Sequence, residues 1–415
     1  MSVTHLRSDA LARDLSIRDL TDPAQGPHAL QLLLEEIVSS LQRRWPETEV
    51  RVVRADPIVT LADNYWNLGY APDAVTVDSR YTRYVDDGHV LRSHSSALIP
   101  PALRALAKTA QADPTGMDVL LVCPGLCYRR DAVDRLHTGT PHQVDLWRIT
   151  NRRSLGEADL QDMIAGVVKG ALPAASWRTV ATGHPYTTGG RQIDAARPIQ
   201  SGHASGGLNR LDGAEWVEIG ECGLAAPAVL SASGLPADGS AGGDHSGGGA
   251  RHMNRQSVGW TGLAMGLGLD RLLMLRKAIP DIRLLRSTDP RTATQLLDLR
   301  PYQAVSALPP VRREVSVAMD AHAEISPETL GDQVREALGA DADAVESVSL
   351  LAVTDYANVP EVARERLEMQ PGQRNVLVRI VLRPWDRTLT DAEANALRDR
   401  IYAALHHSGR PLIRS

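Results

Sequence analysis

Along residues 28–45, Leu30, Leu33, Leu34, Ile37 and Leu41 recur at steps of three and four, the spacing of one buried helical face. The segment RVVRADP that follows is strand-like and stops at Pro57. Residues 100–112 and 154–169 repeat the helical pattern. Residues 118–128 (DVLLVCPGLCY) and 142–149 (HQVDLWRI) read as two strands flanking a long polar loop, and 215–219 (EWVEI) as another strand. The stretch 258–279 begins glycine-rich and ends helical.

From residue 308 the order becomes strand, helix, strand, strand, helix, strand. Ser326 and Pro327 form a favourable N-cap and first-turn pair, Leu330, Val334 and Leu338 share one face, and Gly339 supplies the stop. A second helix opens on the capping box Thr390/Glu393 and buries Leu397, Ile401 and Leu405, while 374–383 alternates as a strand should. This βαββαβ order predicts a ferredoxin-like domain. Two glycine- and serine-rich stretches, 196–213 and 234–257, read as flexible insertions; neither holds the G-K-[ST] of a P-loop.

The chain has 415 residues, which suits two domains, expected at 1–300 and 301–415. A hydrophobic content of 43% and a charged content of 23% are those of a soluble globular protein. The net charge of -5 confines any nucleic-acid contact to a local patch. Cys123, Cys127 and Cys222 are too few for a zinc quartet or a disulfide framework. No apolar run is long enough to span a bilayer, and the first twenty residues, with Asp9, Asp14 and Asp19, resemble no targeting signal. A cytoplasmic location with no membrane contact is expected. One absence stands out: the chain contains no phenylalanine.

Two segments carry chemistry. In 127–147 a strand ends in arginines and a second strand returns with Gln143 and Asp145 on one face. A guanidinium there can grip a phosphate or carboxylate through two parallel hydrogen bonds. In 262–275, glycines 262, 266 and 268 permit close approach of a ligand to the backbone, and Arg271 projects from the first turn of the following helix.

Together these segments resemble motifs 2 and 3 of class II aminoacyl-tRNA synthetases, in the spelling of the phenylalanyl catalytic subunit. Tyr128, Arg129, Asp131, Asp134, His137, His142 and Gln143 stand in register with motif 2, and Gly262, Ala264, Gly266, Gly268, Asp270, Arg271 and Met274 with motif 3. LRSHSS (91–96), EIGECGLAAPAVL (218–230) and PDIRLL (280–285) are similar to further family segments, and 309–414 resembles the ferredoxin-fold anticodon-binding module. The layout is similar to the single-chain mitochondrial type, which implies an α+β protein: an antiparallel-sheet catalytic domain followed by the ferredoxin-like domain.

The resemblance implies ATP and Mg2+, an amino-acid substrate, tRNA as partner, and a monomer or homodimer that needs no beta subunit. It implies Arg129 and Arg271 as catalytic groups. ATP would contact Arg129, Asp131, Pro141, His142, Glu218, Gly268 and Arg271, with Glu218 also holding the metal. The amino acid would contact His94, Ser96, Gln143, Asp145, His184, Tyr186, Cys222, Gly223 and Ala264, and tRNA would contact Arg312 and Arg313. The chain departs from the family at Pro141, which replaces the phenylalanine that stacks on adenine, and at His184-Pro185-Tyr186, which replaces the F-P-F of the amino-acid pocket. Asp145 shortens a glutamate, and Met265 replaces a phenylalanine of motif 3. These changes leave room for a paralogue that loads another amino acid or acceptor, or for a tRNA-binding regulator.

Overall fold

The computed structural model describes residues 4–407 apart from 79–80, 113–115, 198–209, 212–213, 238–258, 306–307 and 385–386. The chain forms two compact units. The first comprises Met1–Tyr128, Thr140–Ala278 and Leu297–Pro301; the second comprises Arg129–Gly139, Ile279–Leu296 and Tyr302–Ser415. The second unit therefore takes in the loop of the motif 2 hairpin as well as the C-terminal region.

The first unit is built on one large sheet. Its strands are β1 (Glu49–Val52), β2 (Asp118–Leu126), β3 (His142–Thr150), β4 (Trp177–Ala181), β5 (Thr187–Arg197), β6 (Ala214–Ala225) and β7 (Thr261–Gly268), with a short strand Arg210–Leu211 beside β6. The spatial order is β1-β2-β3-β7-β6-β5-β4; β1 and β2 run parallel, and the other neighbours run antiparallel. Antiparallel pairing suits β2 and β3, which return on each other around a loop. Of the expected insertions, 198–209, 212–213 and 238–257 lie outside the described residues.

Helices α1 (Ser8–Leu15), α2 (Ala29–Arg44), α3 (Ile99–Ala112), α4 (Glu157–Ala171) and α5 (Leu269–Lys277) belong to this unit. The predicted stripe of α2 is buried: Leu30, Leu33, Ile37 and Leu41 are fully covered. Its close packing on α4 depends on Gly170, where a Cβ would lie 2.8 Å from the Glu36 carbonyl oxygen. On the sheet, Leu103 and Leu106 of α3 join Val119, Leu121, Trp147 and Ile149 in one apolar cluster. The buried Lys277 ends α5, donating to Asp298 O (2.8 Å), Asp298 Oδ1 (3.0 Å) and Arg300 O (2.6 Å).

In the second unit β8 (Val311–Asp320), β9 (Val345–Asp355) and β10 (Gln373–Leu382) form an antiparallel sheet in the order β8-β10-β9. Helices α6 (Pro327–Leu338) and α7 (Asp391–Leu405) start at the predicted caps Ser326 and Thr390. Leu330, Val334, Ile401 and Leu405 pack on Val317, Val376, Val378 and Ile380. The described strands therefore stand in the order first, third, second; the fourth strand expected of a ferredoxin-like domain falls in 408–415, outside the described residues.

The loop 129–139 is bound within this unit. Val133 sits in its apolar core, and Val133 O accepts from Val348 N at 2.9 Å. Arg335 Nη2 donates to Ala132 O at 2.8 Å and also to Asp131 O, and Arg130 pairs with Asp332 at 3.3 Å. Gly331 makes room, since a Cβ there would come within 2.9 Å of Asp131 O.

Candidate active site

The face of β3 that carries Gln143 and Asp145 closes on the segment Ser95–Leu98, a short 3-10 turn. Gln143 Oε1 accepts from Ser95 N at 3.3 Å. Asp145 Oδ2 accepts from Ser95 Oγ at 2.6 Å and Ser96 Oγ at 3.0 Å, and its Oδ1 accepts from Trp147 Nε1 at 3.1 Å. Asp145 is 2% exposed, and no arginine or lysine among the described residues pairs with it. Burial therefore raises its carboxyl to about 6, although the three hydrogen bonds and the charge of His184 pull the other way. An ionised carboxylate buried without a countercharge is a place for a cation.

Aromatic rings extend from this carboxylate. Trp147 lies 6.1 Å from Tyr186, Tyr186 lies 6.2 Å from Tyr70, and Tyr70 lies 6.1 Å from His94, which also meets Tyr65 at 5.9 Å. His184 stacks on Tyr186 at 5.3 Å and forms an ion pair with Glu221. The hydrogen bond to Glu221 raises the pKa of His184 above the ordinary histidine value, against burial. The Tyr186 phenol is pushed well up by burial and hydrogen-bonds to Ser96.

The floor comes from β6 and β7. Gly266 is the cross-strand neighbour of Asp145, Gly268 of Gln143, and Ala264 of Gly223. A Cβ at Gly220 would fall 2.3 Å from Gly266 O, so the close pairing of β6 and β7 requires glycine there. Cys222 is a buried thiol raised to about 12 by desolvation, a wall and not a nucleophile. The pairing of β6 with β5 shifts register at Glu218/Gly220 and Cys222/Leu224. Glu218 is exposed, and its carbonyl accepts from Arg271 Nη1 at 3.0 Å.

His142 differs from its expected place at ATP. Its Nδ1 lies 2.7 Å from Asp270 Oδ1, its backbone N–H donates to Asp270 Oδ2 at 2.6 Å, and its Nε2 accepts from Leu20 N at 3.1 Å. At 1% exposure the ring is a buried joint between β3 and α5. Of the other expected residues, Pro141 O accepts from Cys127 N at 2.8 Å and Gly268 is the N-cap of α5. In the second unit Arg129 N bonds Gly139 O at 2.9 Å, and Asp131 Oδ1 accepts from Ala132 N at 2.9 Å. Arg312 is exposed on β8, whereas Arg313 is tied to Asn395 (3.0 Å) and Asp391 (2.6 Å) of α7. Sequence reasoning passed over Ser95, Trp147, Tyr70 and Glu221. Trp147 was findable two residues beyond Asp145 on the same strand face.

The buried Asp145 carboxylate and the aromatic rings beside it thus stand on an antiparallel sheet that runs into the helix bearing Arg271. The family model of the class II core domain of tRNA synthetases (F) matches residues 53–296, more than half of the chain. The chain belongs to this family. It is a class II aminoacyl-tRNA synthetase, a ligase, of the phenylalanyl type.

It is similar to a probable mitochondrial phenylalanine--tRNA ligase of Drosophila melanogaster, 25% identical over 92% of this chain and 83% of that one. It is similar also to a chloroplastic/mitochondrial phenylalanine--tRNA ligase of Arabidopsis thaliana, 26% identical over 90% and 75%. A phenylalanine--tRNA ligase alpha subunit of Leptospira biflexa is 28% identical over 59% of this chain and 62% of that one. The expected cytoplasmic location is overturned: the two relatives matched over nearly the whole chain are named for mitochondria or chloroplasts, which points to an organelle. No helix among the described residues is long and apolar enough to cross a membrane.

Proposed function

We propose that this chain activates phenylalanine with ATP and transfers it to tRNA. The observation that carries the reading is Asp145, a fully buried carboxylate held by three neutral donors beside an aromatic wall. The ammonium of an amino acid supplies the missing countercharge, and an aromatic side chain suits the rings of Tyr70 and Tyr186. The polar substitutions in the wall do not argue against an unsubstituted ring. His184 is already paired with Glu221, and Tyr186 with Ser96, so neither needs a partner from the substrate.

In this reading the substrate carboxylate attacks the α-phosphorus of ATP and pyrophosphate leaves. A ribose hydroxyl at the tRNA end then attacks the acyl carbon and displaces AMP. Asp145 and Ser96 hold the amino end so that the carboxylate is presented, and Arg271 neutralises phosphate charge; such chemistry depends on positioning and preset charge. The assignment of Arg129 and Asp131 to ATP rests on their register with motif 2.

Class II synthetases use ATP with magnesium, which draws charge off the phosphates. Among the described residues no group of three or more His, Cys, Asp or Glu gathers for a metal. The exposed Glu218 fits a magnesium carried mainly by phosphate oxygens, with one protein carboxylate. The domain reading is an activating domain over about 1–300 and a tRNA-binding domain over 301–415, in which the exposed Arg312 meets tRNA. The relatives matched over 92% and 90% of this chain carry no subunit designation, which supports a chain that needs no second kind of subunit.

Pyrophosphate exchange across all amino acids tests this. Phenylalanine-dependent exchange, followed by phenylalanine transfer to tRNA, is the expected result. Exchange driven by another amino acid, or none with any, overturns it.

A further inference from the structure

The matched family core begins at residue 53, yet a segment well before it reaches the strand that carries the substrate groups. Asp19 Oδ1 accepts from Thr21 N (2.8 Å) and Thr21 Oγ1 (2.7 Å), which folds residues 19–21 into a tight turn. From this turn, hydrogen bonds reach three residues of the matched core, Leu126, His142 and Arg54. Asp19 Oδ2 accepts from Leu126 N at 3.2 Å, at the end of β2. Leu20 N donates to His142 Nε2 at 3.1 Å, at the start of β3. Arg54 donates to Thr21 O at 2.5 Å and Thr21 Oγ1 at 3.1 Å. Leu20, Thr21, His142 and Asp270 are all buried.

The Leu20 bond decides which imidazole nitrogen holds the proton. Nε2 accepts, so the proton sits on Nδ1, facing Asp270 Oδ1 at 2.7 Å. Asp270 then takes two N–H groups from one residue, the ring and the backbone of His142. Asp270 precedes Arg271 on α5, and His142 precedes Gln143 and Asp145 on β3. One buried joint thus connects the strand that holds the amino end to the helix that carries the phosphate arginine.

We propose that Asp19, Leu20 and Thr21 form a latch that positions the activation site. By fixing His142 as the Nδ1–H tautomer, the latch ties β3 to α5 and sets Arg271 against the Asp145 pocket. His142, Asp270 and the latch are positioning residues and touch no substrate. The inference rests on the activation reading above, because only then does the spacing of Asp145 and Arg271 govern a rate.

Two near-isosteres separate the halves of the joint. His142→Asn keeps a donor for Asp270 and removes the acceptor for Leu20; His142→Gln keeps an acceptor for Leu20 and removes the donor for Asp270. Asp19→Asn loosens the latch while leaving the joint residues intact. Pyrophosphate exchange is measured per active site, with sites counted by the adenylate burst. We expect each variant to lose about 10-fold or more in kcat or to raise the ATP KM by as much, since small misplacements are costly in positional catalysis. His142→Ala should lose more than either isostere, and Asp19→Asn should add little in a His142→Asn background. Wild-type protein labelled with 15N-histidine should show one imidazole with a bare Nε2 and a protonated Nδ1, a signal missing from His142→Asn.

Variants that melt earlier but keep wild-type kcat and KM per active site would show a purely structural latch and overturn the proposal. An Nε2-protonated His142 would overturn it as well. Wild type that shows the tautomer signal but exchanges no amino acid would sink the activation reading and leave the joint itself standing.

Discussion

Trp147 donates its indole N–H to Asp145 at 3.1 Å, from two residues further along the same strand, and so holds the carboxylate from below while Ser95 and Ser96 hold it from the side. None of these partners is charged. The folded protein therefore keeps a proton on Asp145 up to about 6, whereas the unfolded chain releases it near the ordinary aspartate value of 3.8. Ammonium binding requires the ionised form, so the amino-acid KM should rise as pH falls through about 6, with a smaller change in kcat. A KM that is flat between pH 5 and 8 would remove Asp145 from the ammonium site.

The same group makes a prediction about stability. Because the folded state binds the extra proton, this carboxyl's contribution is full below about pH 4 and is lost as pH rises through about 6. Asp145→Asn can accept from Trp147 with its oxygen and donate to the serine hydroxyls with its amide. It should stabilise the protein at pH 7.5 by about 1–3 kcal/mol while abolishing amino-acid activation. A lower melting temperature in the variant would contradict the desolvation cost.

Much of this site was legible in the sequence, and the reasons are local. The alternation of Gln143 and Asp145 placed both on one strand face, and the caps at Ser326 and Thr390 marked helix starts to the residue. The role of His142 was not legible, because its partners Leu20 and Asp270 are 122 and 128 residues away in sequence. Strands β4 and β5 were missed as well. Their pairing, Trp177 with Ala195 through Ala181 with Arg191, is supplied by neighbours and not by a strong pattern of their own. The loop 129–139 reads as part of the hairpin, yet its Val133 belongs to the core of the second unit, a long-range fact that no periodicity records.

Tyr186 gives a selectivity test. From sequence, its hydroxyl looks like a group that rewards a polar aromatic substrate. In the structure it bonds Ser96, which in turn holds Asp145. Tyr186→Phe should therefore weaken all amino acids alike, by about 0.5–1.5 kcal/mol in kcat/KM, and leave the phenylalanine-to-tyrosine ratio within a few-fold. A ratio that moves tenfold would mean the hydroxyl faces the substrate side chain.

Lys277 tests the folding of the first unit. Its three N–H groups are all used, two on backbone carbonyls and one on the Asp298 carboxylate, so one side chain ties the 297–301 segment to α5. Lys277→Met keeps the apolar stem but leaves those acceptors without it. Because Asp298 is 44% exposed and can be rehydrated, the expected loss is about 2–3 kcal/mol, below that for a fully buried pair. Denaturant melts should show it; an unchanged midpoint would mean that water replaces the ammonium at no cost.

The absence of phenylalanine has a physical consequence for how this protein is made. A chain of 415 residues with none requires no phenylalanyl-tRNA for its own synthesis. The fold tolerates the omission, because Leu, Met and Trp fill the core: Trp147, Leu263 and Met265 are buried at 0–1% exposure around β3 and β7. In the activation reading the cost falls at Pro141, which offers no π-face to the adenine. A proline-to-phenylalanine change at 141 should therefore lower the ATP KM several-fold while making the protein dependent on phenylalanine supply. Under phenylalanine starvation, synthesis of the wild-type chain should continue while the Pro141→Phe chain and a phenylalanine-containing control stall. Cells carrying the gene should also tolerate better a phenylalanyl-synthetase inhibitor that spares this enzyme. Equal stalling of all three chains would show that the composition gives no advantage, and an unchanged ATP KM in Pro141→Phe would remove Pro141 from the adenine contact.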